Sequence, residues 1–524
     1  MISHNSTRIF LTLVTVIHMT GFGVSESVAD VAPLAVPPVQ EFVLDNGLVI
    51  LVFENHQIPY AAFRFMAKSG SIQDPSDKAG VASMMTTLLT YGTKKFTEQQ
   101  INDTIDGMGA SLQASSSSQA ISVYGDVTTI NPANVESFFT VFADVVRNPV
   151  FPEDAVERVK KRQLGALAQM KDNTSSLADR AMYMLLFEGH PFGDPTSGHP
   201  ATISALTKQD IVDCHRRYVI PEHSVLGVAG DVNPETIVAL AKQFLGDLSW
   251  GENCPDNAPG CGKRVCVPGE LPNTCAAFVL GDKRTENNIL VGPKTAPKQP
   301  ESGLRIVIVD KQDASLSQVQ WRMGRQNTVT YHDPDWATFR LTTQLLGGDF
   351  TSRLNQILRV REGLTYGARL SVSHGSHLTG PIAISTYVKP GDLRRAVELT
   401  LIELEKIRNE EPDQAELESF QSKIIESLPF RFETAQHILS EHMELRADNM
   451  PVSFLEQFPV AIANVNTAKV KTVAQKTIPV DGLLLVAVAN ADLADSLRPL
   501  VESRGGTVEV IGLDWLFKTG TAAP

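Results

Sequence analysis

The feature that most constrains the fold of this 524-residue chain is an internal repeat. The apolar segment 46–54 recurs as 302–310, 256 residues later, and in both copies a Gly-Leu pair opens a run typical of a buried strand. In each half a segment with alternating apolar side chains follows, at residues 62–68 and at residues 319–323. Self-similarity over this distance predicts two related domains rather than one large one.

The rest of each half follows the same plan. Residues 79–90 and 334–346 carry apolar side chains at three- and four-residue spacing, which indicates helices. Apolar runs at 225–229 and 483–489 close the two halves and predict core strands. The expected fold class is α+β, with two homologous domains that each pack a mainly antiparallel sheet against helices.

Composition shifts along the chain predict the domain boundaries. Residues 1–27 have an early arginine, a short apolar run and small residues, which is the plan of a secretory signal peptide, whereas a membrane anchor would need about 20 apolar residues. An extended lead-in is expected at 28–40, the first domain at 41–250, a linker rich in Pro, Gly and Cys at 251–300, and the second domain at 301–515. No later segment is long and apolar enough to span a bilayer, so no membrane span is expected.

Four of the five cysteines cluster in the linker, at Cys254, Cys261, Cys266 and Cys275, with Cys214 left over. An oxidising compartment favours disulfides among the four, in any of three pairings. A zinc site is the weaker alternative because the spacing contains no C-x-x-C pair.

The charge balance bears on the partners. Aspartate and glutamate number 59 against 46 lysines and arginines, a net charge of −13. Such a surface repels polyanions, so nucleic acid is not an expected partner.

Several short motifs resemble one family. The segments 46–48, 190–193 and 230–231 in the first half, and 347–354 and 363–367 in the second, are similar in order and spacing to the M16 (pitrilysin/insulinase-like) zinc metallopeptidases. The resemblance implies two M16-type domains of the LuxS/metallohydrolase-like α+β fold. Fold follows from such a match more directly than activity does.

The zinc motif of the active members is missing. Their H-x-x-E-H falls on residues 83–87, where Ser83 and Thr87 replace the two histidines and Thr86 replaces the general base. The position of the third ligand, a glutamate in the family, falls on Ala166. Neutral hydroxyls are poor zinc ligands and threonine has no pKa suited to base catalysis near neutral pH. We expect no catalytic residue and no metal in this chain, and no activity from the chain alone.

The family's substrate-binding pair is retained as Arg359 and Tyr366, seven residues apart; Arg361 lacks that spacing. In similar enzymes this pair holds the substrate near the scissile bond, and a guanidinium and a phenol suit peptide carbonyls and a developing oxyanion. The alternative is that Arg359 is a solvated helix residue and Tyr366 a residue of the sheet core.

Taken with the missing motif, the resemblance implies divided labour. The chain is expected to be the zinc-free, substrate-binding subunit of a heteromeric metallopeptidase that degrades peptides or unfolded polypeptides in the periplasm, with zinc and general base from an M16 partner carrying H-x-x-E-H. Residues 110–114 are a candidate edge strand for pairing with the peptide backbone, although a plain surface strand explains them equally well. A non-peptidase scaffold and an independent hydrolase remain the alternatives.

Overall fold

A computed structural model describes residues 31–248, 302–374 and 379–518. The predicted signal peptide, the linker and the four clustered cysteines lie outside these residues, so the predictions about them stay predictions. Cys214 is described, and it is a buried free thiol. Within the described ranges, the structure contains no helix with the length and apolarity of a membrane span.

The first half builds a six-stranded sheet. Its strands follow the order β1-β2-β6-β3-β5-β4, in which β2 and β6 run parallel and the other neighbours are antiparallel. The strands are β1 (Gln40–Val43), β2 (Val49–Glu54), β3 (Tyr60–Ala67), β4 (Ser111–Ser116), β5 (Ile121–Thr128) and β6 (Ser224–Gly230).

The second half repeats this sheet in the order β12-β7-β11-β8-β10-β9. The pair β7 and β11 is parallel, as β2 and β6 are, but the outer strand β12 comes from the end of the chain and runs parallel to β7. The strands are β7 (Leu304–Asp310), β8 (Val319–Gln326), β9 (Arg369–Val372), β10 (Pro381–Val388), β11 (Leu483–Ala489) and β12 (Thr507–Gly512). The predicted fold class, with two related α+β domains, is confirmed.

Helices cover both sheets. Those of the first half are α1 (Val81–Leu88), α2 (Glu98–Gly107), α3 (Ala133–Arg147), α4 (Glu153–Met170), α5 (Thr174–Leu186), α6 (Pro200–Ala205), α7 (Lys208–Tyr218) and α8 (Pro234–Leu245). Those of the second half are α9 (Trp336–Thr343), α10 (Leu393–Asn409), α11 (Gln414–Ser427), α12 (Ala435–Ala447), α13 (Ser453–Ala463), α14 (Thr467–Thr477) and α15 (Leu493–Glu502).

One face of each sheet packs against helices of its own half. In the first half Phe63 of β3 meets Phe138 and Phe142 of α3, with ring centroids 5.0 and 6.1 Å apart. In the second half Trp321 of β8 is fully buried in the equivalent core. These residues are one side of the alternation seen in the sequence, because successive side chains of a strand point to opposite faces.

The other face of each sheet is covered by a helix from the opposite half. Helix α12 of the second half lies across β2 and β6, and helix α5 of the first half lies across β8 and β11. This exchange explains why β6 and β11 are buried along their whole length, since a strand covered on both faces needs an almost continuous apolar run. It also joins the two halves through two separate apolar contacts.

Helix α12 packs closely against the first sheet at Gly227 of β6. A Cβ at this position would stand 2.4 Å from the sulfur of Met443 and 2.9 Å from a methyl carbon of Leu439. Both side chains belong to the apolar layer between α12 and the sheet. The missing side chain therefore lets the helix settle onto β6.

Candidate functional site

Helix α1, on which the zinc motif of the family would fall, begins at a close contact between two glycines. Gly80 has φ of 96°, and a Cβ there would stand 2.9 Å from the Cα of Gly198. Asp74 secures the same turn, because one of its carboxyl oxygens accepts hydrogen bonds from the backbone N–H groups of Gly80 at 3.0 Å and Ala82 at 3.4 Å. The helix start is thus held by backbone geometry and by a side-chain cap.

The Asp74 carboxyl is itself buried. Burial raises its pKa to about 7, although the two backbone N–H groups and the hydroxyl of Tyr218, which donates to Asp74 at 3.4 Å, act in the opposite direction. Burial also raises the pKa of the Tyr218 phenol and of the Cys214 thiol. The three groups are desolvated and influence one another electrostatically, and α7, which carries Cys214 and Tyr218, packs against α1.

Two of the three hydroxyls at the motif positions are engaged within the helix. Thr86 Oγ1 donates to the carbonyl of Ala82 at 2.8 Å, and Thr87 Oγ1 donates to the carbonyl of Ser83 at 2.9 Å. Thr86 is also buried. No group of three or more His, Cys, Asp or Glu side chains in the described part of the chain is arranged to hold a metal ion.

Ala166 occupies the position of the third ligand in the family pattern. It lies on α4, and α4 packs beside α1. Its exposed methyl group offers no donor atom to a metal. The two helices on which the family pattern would place zinc ligands therefore lie next to each other, and the matching positions carry two hydroxyls and a methyl.

Strand β4 is the outer strand of the first sheet, so the residues predicted as a candidate edge do lie at one. It pairs with β5 on one side, and α1 packs close to it. Its sequence Ser-Leu-Gln-Ala-Ser-Ser is short and mostly polar. An outer strand presents unpaired backbone donors and acceptors, which is the surface that an extended peptide can join.

Arg359 lies in a π-helical segment, Gln356–Arg361. The segment is anchored by Leu358, which is fully buried in the core of the second half. The guanidinium carbon of Arg359 stands 4.1 Å from the ring centroid of Phe350. Within the described ranges it makes no hydrogen bond or ion pair, so its donors are available to a ligand.

Tyr366 is 79% exposed, which removes the alternative that it is a residue of the sheet core. Its neighbour Thr365 is buried and accepts a hydrogen bond from Thr386 of β10 at 3.0 Å. Gly363, with φ of 63°, turns the chain just before. The loop is thus pinned to the sheet while the phenol projects outward.

Two exposed apolar residues accompany this pair. Phe350 is 67% exposed and Val360 is 63% exposed, and both lie in the same part of the chain as Arg359 and Tyr366. Sequence reasoning missed Phe350, since a single phenylalanine near glycines gives no sign of whether it enters the core. No hydrogen bond or ion pair among the described residues joins Arg359 or Tyr366 to α1 or α4. Their roles stay predictions.

Two family models match the chain. The model described as Insulinase (Peptidase family M16) matches residues 49–199, and the model described as Peptidase M16 inactive domain matches residues 205–424. Together they cover well over half of the sequence.

The chain is similar in sequence to proteins named as zinc proteases and in fold to several solved structures. An uncharacterized zinc protease of Rickettsia bellii is 27% identical over 209 residues, which is 40% of this chain and 50% of that protein, so the match spans about half the length of this relative. The crystal structure of a peptidase M16 inactive domain from Pseudomonas fluorescens superposes with a TM-score of 0.71 at 21% identity, covering 86% of this chain and 98% of that one. The periplasmic protease PqqL from Escherichia coli gives 0.67 at 16% identity, covering 94% of this chain and 52% of that one.

At 21% and 16% identity, the two solved structures support the fold of this chain but not its activity. The two family models match adjoining parts of the chain. This chain belongs to the insulinase family of peptidases, M16.

Proposed function

We propose that this chain is the zinc-free, substrate-binding subunit of a heteromeric M16 zinc metallopeptidase that degrades peptides or unfolded polypeptides. The observation that carries the proposal is that the side chains of Arg359 and Tyr366 are held by the fold but have no hydrogen-bonding partner among the described residues. Tyr366 is 79% exposed, and the guanidinium of Arg359 rests on an exposed ring without a hydrogen-bonding partner in the described part of the chain. Groups held in place by the fold but left unpaired are suited to a ligand that arrives from outside.

The chemistry of the pair fits a peptide. A guanidinium has five N–H donors in a rigid fork and can bind two peptide carbonyls or one carbonyl twice. Stacking on Phe350 limits the orientation of the fork, so less rotational freedom is lost when the peptide binds. The Tyr366 hydroxyl can donate to an oxygen that becomes negative during attack on the scissile bond.

The first half would contribute backbone pairing. An extended peptide added to β4 would satisfy the unpaired donors and acceptors of this outer strand with little regard for side chains. Such pairing agrees with a substrate class defined by an accessible, unfolded backbone rather than by one sequence.

Zinc and the general base would come from a partner. Ser83, Thr86 and Thr87 offer hydroxyls of which two donate to their own helix, and Ala166 offers a methyl. A partner M16 chain with H-x-x-E-H would supply two imidazoles from one helix face and a glutamate for the zinc-bound water. The amino-terminal signal pattern and the likeness to a protein named as a periplasmic protease support a periplasmic location.

The test is reconstitution. The chain would be produced with an H-x-x-E-H-bearing M16 chain encoded in the same genome, and hydrolysis of a quenched fluorescent peptide would be measured with and without a chelator. We expect chelator-sensitive hydrolysis from the pair and none from this chain alone. Activity of this chain alone would contradict the proposal, and a stable association with a non-peptidase complex instead would indicate a scaffold.

Substitutions identify the binding pair. Arg359→Ala should lower kcat/KM at least tenfold, because a hydrogen bond to a charged donor contributes about 1.5–3 kcal/mol. Tyr366→Phe should lower kcat about 100-fold if its hydroxyl meets the oxyanion. Arg361→Ala is the matched control, since Arg361 is an exposed arginine two residues away. Equal activity of all three variants, with zinc content and assembly intact, would remove the assignment.

A further inference from the structure

The exchange of helices creates two equivalent arginine positions, one on each sheet. Arg64 of β3 pairs across the sheet with Gly227 of β6, and Arg322 of β8 pairs with Val486 of β11. Since β3 matches β8 and β6 matches β11 in the two strand orders, the two arginines occupy the same place. Each extends from the face covered by the exchanged helix.

The arginine of the second half has a full set of partners. Arg322 Nε donates to a carboxylate oxygen of Asp179 at 2.5 Å, and Nη2 donates to the hydroxyl of Ser175 at 2.7 Å. Both partners lie one helical turn apart on α5. The third nitrogen donates to the carbonyl of Trp321 at 3.0 Å and to the side chain of Gln320 at 3.3 Å. The ion pair with Asp179 thus balances a guanidinium that is almost wholly buried.

The arginine of the first half lacks the carboxylate. On α12, Gln436 and Ser440 stand one turn apart beside Arg64, as Ser175 and Asp179 do beside Arg322. The only hydrogen bond that Arg64 makes within the described ranges is a long one, from Nη1 to Ser440 Oγ at 3.5 Å. Its Nε is shielded from solvent and has no partner. A serine therefore stands where the other half has an aspartate.

A cavity of about 300 Å³ lies beside Arg64. It lies between the sheet and α12, and polar side chains line it: Arg64, Ser115, Tyr124, Gln436 and Ser440. Its volume is at the lower end of the range found for small-molecule sites. The cavity opens beside β4, where Ser115 and Gln436 are exposed, so a ligand can reach it from solvent.

Two acidic residues near the cavity, Glu444 and Asp126, could repel a bound anion. Glu444, one turn beyond Ser440 on α12, interacts with Arg64 electrostatically, but burial raises its pKa and it forms no ion pair with Arg64. Asp126 of β5 accepts a hydrogen bond from Ser111 at the far end of β4. In the part of the chain that the structure describes, no carboxylate oxygen lies within 4.0 Å of the Arg64 guanidinium. Its hydrogen-bonding capacity is left for a ligand.

We propose that this cavity binds the carboxylate of a small or peptide ligand, which would accept hydrogen bonds from the terminal guanidinium nitrogens of Arg64 and balance its charge as Asp179 balances that of Arg322. The serine and glutamine on α12 and the tyrosine on β5 would bind the remaining polar atoms. Ser115, which lines the cavity, belongs to β4, but the site uses neither Arg359 nor Tyr366, so carboxylate binding can be tested without the proposed peptidase role.

The test uses the purified full chain and three probes: acetyl-Ala-Ala with a free carboxylate, its amide, and acetyl-Asp-Ala-amide with only a side-chain carboxylate. Isothermal titration near neutral pH should show binding of one or both acids and at least tenfold weaker binding of the amide. The preferred acid tells whether a terminal or a side-chain carboxylate is recognised. Failure of both acids to bind more tightly than about 10 mM would overturn the proposal.

Variants assign the binding to the arginine. Arg64→Gln should weaken binding of the acid at least tenfold, since a hydrogen bond to a charged group is lost. Arg394→Gln, on an exposed face of α10, should leave it within about twofold. Unchanged binding in Arg64→Gln would refute the assignment.

A second pair of variants guards against a folding defect. Ser440→Asp supplies the carboxylate from within, so it should raise the thermal midpoint and abolish binding of the acid. Ser440→Asn, of the same size but neutral, should do neither. If Ser440→Asp binds the acid as the native chain does, the cavity is not the site. These binding measurements do not use the peptidase assay, so failure of the proposed peptidase role would not change their result.

Discussion

Replacing Asp74 by asparagine is expected to stabilise the protein at neutral and alkaline pH and to change little under acid conditions. The carboxyl is 8% exposed, and burial raises its pKa from 3.8 to about 7. The folded protein therefore holds this proton more tightly than the unfolded chain does. The contribution of Asp74 to stability falls as the pH rises from about 4 to about 7 and is constant above that range.

The magnitude follows from the difference between the two pKa values. Each unit corresponds to about 1.4 kcal/mol, so ionisation of the folded protein costs about 4 kcal/mol at pH 8 and about 2 kcal/mol near pH 5.5. Asparagine is neutral, so it avoids the cost of ionisation, and it can hydrogen-bond to the same partners as the Asp74 carboxyl. Its carbonyl oxygen can accept from Gly80 and Ala82, and its amide can donate to Tyr218.

The assay is urea unfolding followed by circular dichroism at several pH values between 4 and 8. The free energy of unfolding of Asp74→Asn minus that of the native chain should rise across this range and level off above pH 7. Buried histidines such as His199 and His215 also titrate, but they are common to both proteins and cancel in the difference. Asp77→Asn, on the exposed side of the same loop, is the control. A difference that does not vary with pH would refute the reasoning.

Two further predictions concern the lost zinc site and the joining of the halves. The triple variant S83H/T87H/A166E is expected to bind one zinc ion per chain, because two imidazoles one turn apart on α1 and a carboxylate on the adjacent α4 make a three-ligand site. Mass spectrometry of the metal content tests this. A metal-free variant would mean that the two helices are not in the family register. Leu516→Ala is expected to lower the free energy of unfolding by about 3 kcal/mol, since this fully buried residue packs in an apolar cluster that includes both α5 of the first half and strands of the second sheet. A loss below about 1 kcal/mol would show that the contact is dispensable.

Much of the fold could be predicted from the sequence because local patterns carry it. The repeat at residues 46–54 and 302–310 became β2 and β7, which pair in parallel with β6 and β11 of their own sheets. The alternation around Trp321 became a strand with one face in its own core. The absence of the family's ligand types at Ser83, Thr87 and Ala166 needed no coordinates, since residue type alone decides which donor atoms a side chain can offer a metal.

The candidate site was less predictable. The seven-residue spacing of Arg359 and Tyr366 indicated the pair, but their surroundings followed from the fold. Tyr366 could equally have belonged to the sheet core, and only the loop pinned by Thr365 turns it outward. Phe350 beneath the guanidinium had no signal in the sequence.

The sequence by itself determined that two related α+β units would form, and it places hydroxyls at Ser83 and Thr87, where the family pattern has imidazoles. Only the tertiary structure decided that α5 and α12 change places between the halves, and therefore that Arg322 meets Asp179 while Arg64 faces a cavity. The physical reason is that an amphipathic pattern states which face of a helix must be buried but not which sheet will bury it. That choice rests on contacts between residues hundreds of positions apart.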